Sequence, residues 1–173
     1  MGYLLICCRA LIGMVFLLST AGKIRSRRNF SDFVTTAHEL APRLPARIVA
    51  PGVIAFETAS VTLLIFDDTI VFGFLVSLGL LTAFTAVIGA AVAKGSEVAC
   101  RCFGASAVPV GPAHLLRNAV LLVGAAAGLT AALSGPGTSI ELKAAITALV
   151  AGAAIACMTL YTDDISQLFR PIE

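Results

Sequence analysis

Long apolar stretches separated by short polar breaks dominate this chain. Tyr3 to Gly22 is apolar apart from Arg9, and Ile48 to Phe66 is apolar apart from Glu57. Thr69 to Ala93 is the longest uninterrupted run; Leu115 to Leu133 follows, with Arg117 and Asn118 at its entrance, and Leu142 to Tyr161 comes last. A helix needs about 20 mostly apolar residues to cross a bilayer, and each stretch is of that order. The pattern predicts an all-α polytopic transmembrane bundle of four to five spans, at 3–22, 48–66, 69–93, 115–133 and 142–161, in a single membrane domain over 1–173. The last two spans are rich in Ala and Gly. Gly124 and Gly128, and Ala148, Gly152 and Ala156, recur every four residues, which lets helix backbones approach closely in lipid. Tyr3 and Tyr161 fall at span ends, where amphipathic rings favour the membrane interface.

The polar breaks differ in kind. Between Lys23 and Arg47, Phe30, Phe33, Val34, Ala37, Leu40 and Ala41 recur at helical spacing, with Asp32, Thr35, Thr36 and Glu39 opposite. This predicts a short amphipathic helix lying on the membrane surface or capping the bundle. Pro42 and Pro45 end it, and Pro51 is expected in the first turn of the next helix. Asp67 and Asp68 mark a tight, solvated turn. Residues 94–113 form an irregular loop punctuated by Gly95, Gly104, Pro109, Gly111 and Pro112.

Composition agrees with the pattern. The chain has 173 residues, 58% of them hydrophobic and 13% charged, against about 45–50% and 25% in soluble domains. No basic patch with interleaved aromatics is present, which argues against nucleic acid. The first stretch is too long for a signal-peptide core and has no small-residue cleavage site after it, so it is expected to remain as a helix. Lys23, Arg25, Arg27, Arg28, Arg43 and Arg47 lie in the first link, and Lys94, Arg101 and Arg117 in and beside the cysteine loop. The positive-inside rule places both links in the cytoplasm.

Candidate chemistry concentrates in that loop. Cys100 and Cys102 flank Arg101 in Cys-Arg-Cys-Phe-Gly. A disulfide closed over one residue is strained and reducible, and an adjacent guanidinium favours thiolate. Thiol–disulfide exchange, Cu(I) binding and unreactive loop cysteines all remain open on this evidence. Zinc would need two further ligands; His114 could supply one, and reads better as a helix-start residue. Cys7, Cys8 and Cys157 lie in apolar stretches and read as small core residues. Glu57, in mid-span, would cost about 2.5–3.5 kcal/mol unpaired. The cost argues for a partner or for a proton held on the carboxylate; Arg9 is a candidate partner across antiparallel helices, either as a structural ion pair or as part of a polar site beneath the loop. Lys23 reads as an interfacial anchor, and Arg117 as an anchor or a support for the thiolates.

The set Phe16-Leu-Leu-Ser19-Thr-Ala-Gly-Lys23, Asn29-Phe30, Pro51, Phe56-Glu57, Gly95, Cys100-Arg-Cys-Phe-Gly104 and Arg117-Asn118 resembles the MauE family, methylamine-utilisation membrane proteins related in build to DoxX-like proteins. The resemblance implies a multi-pass cell-membrane protein that works with a thioredoxin-like partner and assists maturation or export of a client oxidoreductase. It makes Cys100 and Cys102 the redox pair, and matches Ser19, Lys23, Glu57, Arg117 and Asn118 to positions without an assigned role. In relatives the residue between the cysteines is often Gly; Arg101 changes thiolate acidity and loop shape. A membrane quinone is an alternative electron acceptor, and no resident metal is expected. The alternative function is a non-catalytic component that binds or transports a metal ion or small solute near Glu57. A role on exported clients favours the outer face for the loop, opposite to the charge rule.

Overall fold

The computed structural model describes residues 2–40, 42, 45–95, 111–135, 145–156 and 158. Among these residues every regular element is helical: α1 (Gly2–Ile24), α2 (Arg27–Leu40), α3 (Ala46–Ile65), α4 (Ile70–Ala93), α5 (Pro112–Leu133) and α6 (Ala145–Ala156). A single 3-10 turn, Asp67–Thr69, joins α3 to α4. Four helices are long and apolar enough to cross a membrane: α1, α3, α4 with its leading turn, and α5. The fifth expected span appears among the described residues as the shorter apolar helix α6.

The four long helices form a ring in which α1 packs on α3 and α5, and α4 packs on the same two. Neighbours around the ring run antiparallel. The core runs through Leu11, Ile12, Val15, Phe16, Leu64, Phe74, Leu81, Leu121 and Ala125. Large apolar side chains also point outward, among them Leu17, Ile48, Phe56, Phe72, Leu116 and Val123. Polar groups turn inward instead, as expected where the surrounding solvent is lipid. Ser60 and Ser77 meet at 2.5 Å between α3 and α4, and Ser77 Oγ also donates to the Gly73 carbonyl at 2.7 Å.

The small-residue faces are used as the sequence suggested. A Cβ at Gly128 would overlap the Phe74 ring, and one at Gly152 would overlap the α1 backbone at Cys7. Gly152 and Ala156 are thus the buried face of α6 against α1. Cys8 is buried in the core as a small apolar residue, and Cys7 is half-buried beside it; Cys157 lies outside the described residues.

Helix ends depart modestly from expectation. α3 begins at Ala46 rather than Ile48, its first bonds accepted by the Pro45 carbonyl. Pro51 therefore falls in the second turn, where its missing N–H leaves the Arg47 carbonyl without the usual i+4 donor. α5 begins at Pro112, a residue suited to the first helical position. α4 ends at Ala93, and Gly95 just beyond its cap has a φ of 65°, the left-handed geometry that stops a helix.

The amphipathic helix α2 caps the bundle, packing on α1, α3 and α4. Ser26 starts it: its Oγ accepts from the Asn29 N–H at 3.0 Å, and Asn29 Nδ2 donates back to the Gly22 carbonyl of α1 at 2.9 Å. Phe33 is buried as predicted, but Thr36, assigned to the polar side, is buried too. Its hydroxyl is satisfied by the Asp32 carbonyl at 3.0 Å, so burial leaves no donor unmade.

Candidate functional site

At the end of the ring capped by α2, five helices contribute to one buried polar cluster. The last two turns of α1 supply Ser19, Thr20 and Lys23, which share a face because they are three and four residues apart. α3 supplies Glu57, and the first two turns of α5 supply His114, Arg117 and Asn118 on its inner face. Lys23 Nζ lies 2.5 Å from Glu57 Oε1, and both side chains are only 1% exposed. Nζ also donates to Ser19 Oγ at 2.7 Å. Ser19 Oγ and Thr20 Oγ1 each donate to the carboxylate at 3.1 Å, to Oε1 and Oε2 respectively. Lys23 Nζ sits 4.8 Å from the Phe33 ring centroid of α2 and 5.9 Å from that of Phe84 on α4. A buried ion pair is tolerable only when its remaining donors and lone pairs are engaged; here hydroxyls and ring faces engage most of them.

Two expectations are corrected. Lys23 is not an interfacial anchor: it is among the most buried side chains of the protein. Glu57 pairs with Lys23 and not with Arg9. Arg9 instead closes the opposite end of the ring, donating to the Leu64 and Ile65 carbonyls at the end of α3 and to Asp67 Oδ1 at 2.6 Å. Asp67 stays largely solvated while it makes that bond. The error was one of register. Flush helix ends would leave Arg9 and Glu57 about 5 Å apart in depth. Arg9 and Ser19 lie ten residues apart on α1, roughly 15 Å; α3 is shifted from the flush arrangement, so that Ser19 meets Glu57 while Arg9 meets Leu64.

Arg117 and Asn118, each 4% exposed, line the same small cavity as Lys23, Glu57, Ser19, Phe16, Leu81 and Phe84. His114, one turn earlier, is buried at the start of α5, where its Nδ1 accepts from the Gly111 N–H at 3.3 Å; it is a helix-start residue, as expected. The cavity is about 20 Å³, room for about one water. A quinone ring or an organic solute is larger than this space. Among the described residues no group of three or more His, Cys, Asp or Glu side chains is placed to hold a metal ion.

The resemblance matched Ser19, Lys23, Glu57, Arg117 and Asn118 without a role, and the fold brings all five together around one cavity. Sequence reasoning missed Thr20, Phe33 and Phe84 as parts of this site. Thr20 was signalled by its i,i+3 relation to Lys23; Phe33 and Phe84 resembled ordinary core residues. Cys100, Arg101 and Cys102 lie outside the described residues. The chain enters that segment at Gly95, after α4, and returns at Gly111, before α5. Both anchor points belong to the end of the ring that holds the polar cluster.

The family description "Methylamine utilisation protein MauE" matches residues 1–131. The chain belongs to the MauE family and is a multi-pass membrane protein. No curated protein and no solved structure matches it significantly.

Proposed function

We propose that this MauE-family protein is a membrane thiol–disulfide component in which Cys100 and Cys102 cycle between dithiol and disulfide. The observation that carries the reading is the convergence of Ser19, Lys23, Glu57, Arg117 and Asn118 at the end of the ring where the cysteine-bearing segment is anchored. A buried ion pair joins α1 to α3 there, with Phe33 of α2, Phe84 of α4 and Arg117 and Asn118 of α5 around it, which gives the two anchor points a packed base. Catalytic groups need such a base to meet a partner reproducibly.

The exchange balances without a bound cofactor. A thiolate of the pair attacks the disulfide of a thioredoxin-like partner, and a mixed disulfide forms as one partner sulfur leaves as thiolate. The second cysteine then attacks the mixed disulfide and releases the partner as a dithiol. Two electrons and two protons pass to the partner, and the pair is left oxidised. A client dithiol re-reduces the pair by the reverse sequence and is itself oxidised, which is the step that serves maturation of a disulfide-containing oxidoreductase. Arg101 lowers the cost of the thiolate by its charge.

The test is trapping. In a chain with Cys7, Cys8 and Cys157 replaced by Ser, Cys102→Ser should accumulate a reductant-sensitive adduct through Cys100 with a thioredoxin-like protein. Absence of any adduct through either cysteine, in Cys102→Ser and Cys100→Ser alike, would remove the proposal.

A further inference from the structure

The cavity beside Glu57 contains a polar atom that the ion-pair network does not account for. Asn118 Nδ2 is fully buried and has no hydrogen-bond acceptor among the described residues. Leaving such a donor unmade is expensive, and a buried amide of this kind usually marks an ordered water or ion. The atoms around it limit what the partner can be. The cavity volume of about 20 Å³ exceeds the roughly 10–15 Å³ a single water needs and falls short of any larger molecule. The wall combines donors, on Lys23, Arg117 and Asn118, with the Glu57 carboxylate. An anion would face that carboxylate, and a cation would face two basic side chains. A neutral species that both accepts and donates suits every wall.

We propose that this cavity is a binding site for one water molecule, which accepts from Asn118 Nδ2 and donates to the Glu57 carboxylate. The carboxylate has capacity for it: Oε2 receives only the Thr20 hydroxyl among the bonds described, and a carboxylate oxygen accepts two. The water links α5 to α3, which do not otherwise pack closely across the ring. It also extends a polar row down the inner face of α5. His114 and Asn118 are four residues apart on that face, so the row runs from the loop end of α5 to Glu57 in the bundle interior. Asn118 is thereby a positioning residue for the water, and Glu57 gains a neighbour with exchangeable hydrogens inside a membrane span. This inference stands on the cavity and Asn118 alone and does not depend on the redox reading.

The chain contains two asparagines, Asn29 and Asn118, which makes a direct measurement practical. The protein, labelled with ¹⁵N only in asparagine and held in detergent micelles, should give two pairs of side-chain amide signals. Asn29→Asp, at the α1–α2 turn, identifies which belongs to Asn118. The expected result is a through-space cross-peak from the Asn118 amide protons to the water resonance, with the sign of a long-lived contact. An Asn118 amide with cross-peaks to protein protons alone would overturn the proposal. So would a water-resolving structure in which Asn118 Nδ2 bonds a protein oxygen directly. A redox-trapping failure would leave this cross-peak untouched, so the two ideas fail separately.

Discussion

Lys23 on α1 and Glu57 on α3 meet at 2.5 Å in the interior of a membrane bundle, each almost wholly removed from solvent. Ser19 joins both, accepting from the ammonium and donating to the carboxylate. The pair thus fixes the sliding position of α3 against α1 at one point along their length. In lipid, where burial of apolar surface does not distinguish one helix register from another, such a polar contact is a strong determinant of register.

Breaking one partner of this pair should be far worse than removing both. Lys23→Met strands a carboxylate, and Glu57→Gln strands an ammonium; each should cost about 3–5 kcal/mol, the usual loss when a buried pair is halved. The double variant Lys23→Met/Glu57→Gln should lose less than either single variant. Thermal unfolding of the four proteins in one detergent measures the cycle. Additive losses would mean that the two groups do not stabilise each other.

The spans and the cluster differed in how far the sequence disclosed them. α1 and α4 are visible from hydropathy because length and apolar content alone define a spanning helix. The membership of Ser19, Lys23, Glu57, Arg117 and Asn118 in one site was visible only as a motif. That Lys23 and not Arg9 neutralises Glu57 was hidden, because it depends on the shift of α3 along α1, and hydropathy carries no information about sliding. Thr36 was misassigned for another reason. A threonine that bonds its own helix behaves as a small apolar residue, and polarity scales count the hydroxyl as if it needed outside partners. The cysteine pair is evident in sequence, and its chemistry rests on experiment.

At the opposite end of the ring, Arg9 and Asp67 should contribute unequally. Asp67 is largely solvated, so Asp67→Asn should cost about 1 kcal/mol or less. Arg9 additionally satisfies the carbonyls of Leu64 and Ile65 at the end of α3. Arg9→Met should therefore lower the unfolding temperature more than Asp67→Asn does. Equal effects would show that the carbonyl contacts carry no weight.

The glycines should sort by what their missing Cβ would meet. At Gly128 it would run into the Phe74 ring, a rigid group in the core; Gly128→Ala should cost about 1–3 kcal/mol through overpacking. At Gly124 it would lie 3.1 Å from the end of Leu11, which can yield, so the loss should be smaller. Nothing lies within 4 Å at Gly13, and Gly13→Ala should be neutral or slightly stabilising through helix propensity. The expected order of unfolding temperatures is Gly13→Ala above Gly124→Ala above Gly128→Ala, and a reversal of the outer two would contradict the packing.

The charge distribution predicts an orientation in the membrane that can be tested on the cysteines themselves. Lys23, Arg25, Arg27, Arg28 and Arg47 lie at or beyond the end of the ring that α2 caps, and Lys94 closes α4 there. Asp67 and Asp68 form the turn at the other end, beside Arg9. Lys23 is buried in its ion pair, yet the remaining cations still outnumber those at the far end, and the positive-inside rule puts the α2 end in the cytoplasm. The anchors of the cysteine-bearing segment, Gly95 and Gly111, belong to that end. A chain that keeps only Cys100 and Cys102 should therefore resist a membrane-impermeant maleimide in intact cells and react once the membrane is opened. Labelling in intact cells would reverse the orientation, and would direct the search for thiol partners to exported proteins in place of cytoplasmic ones.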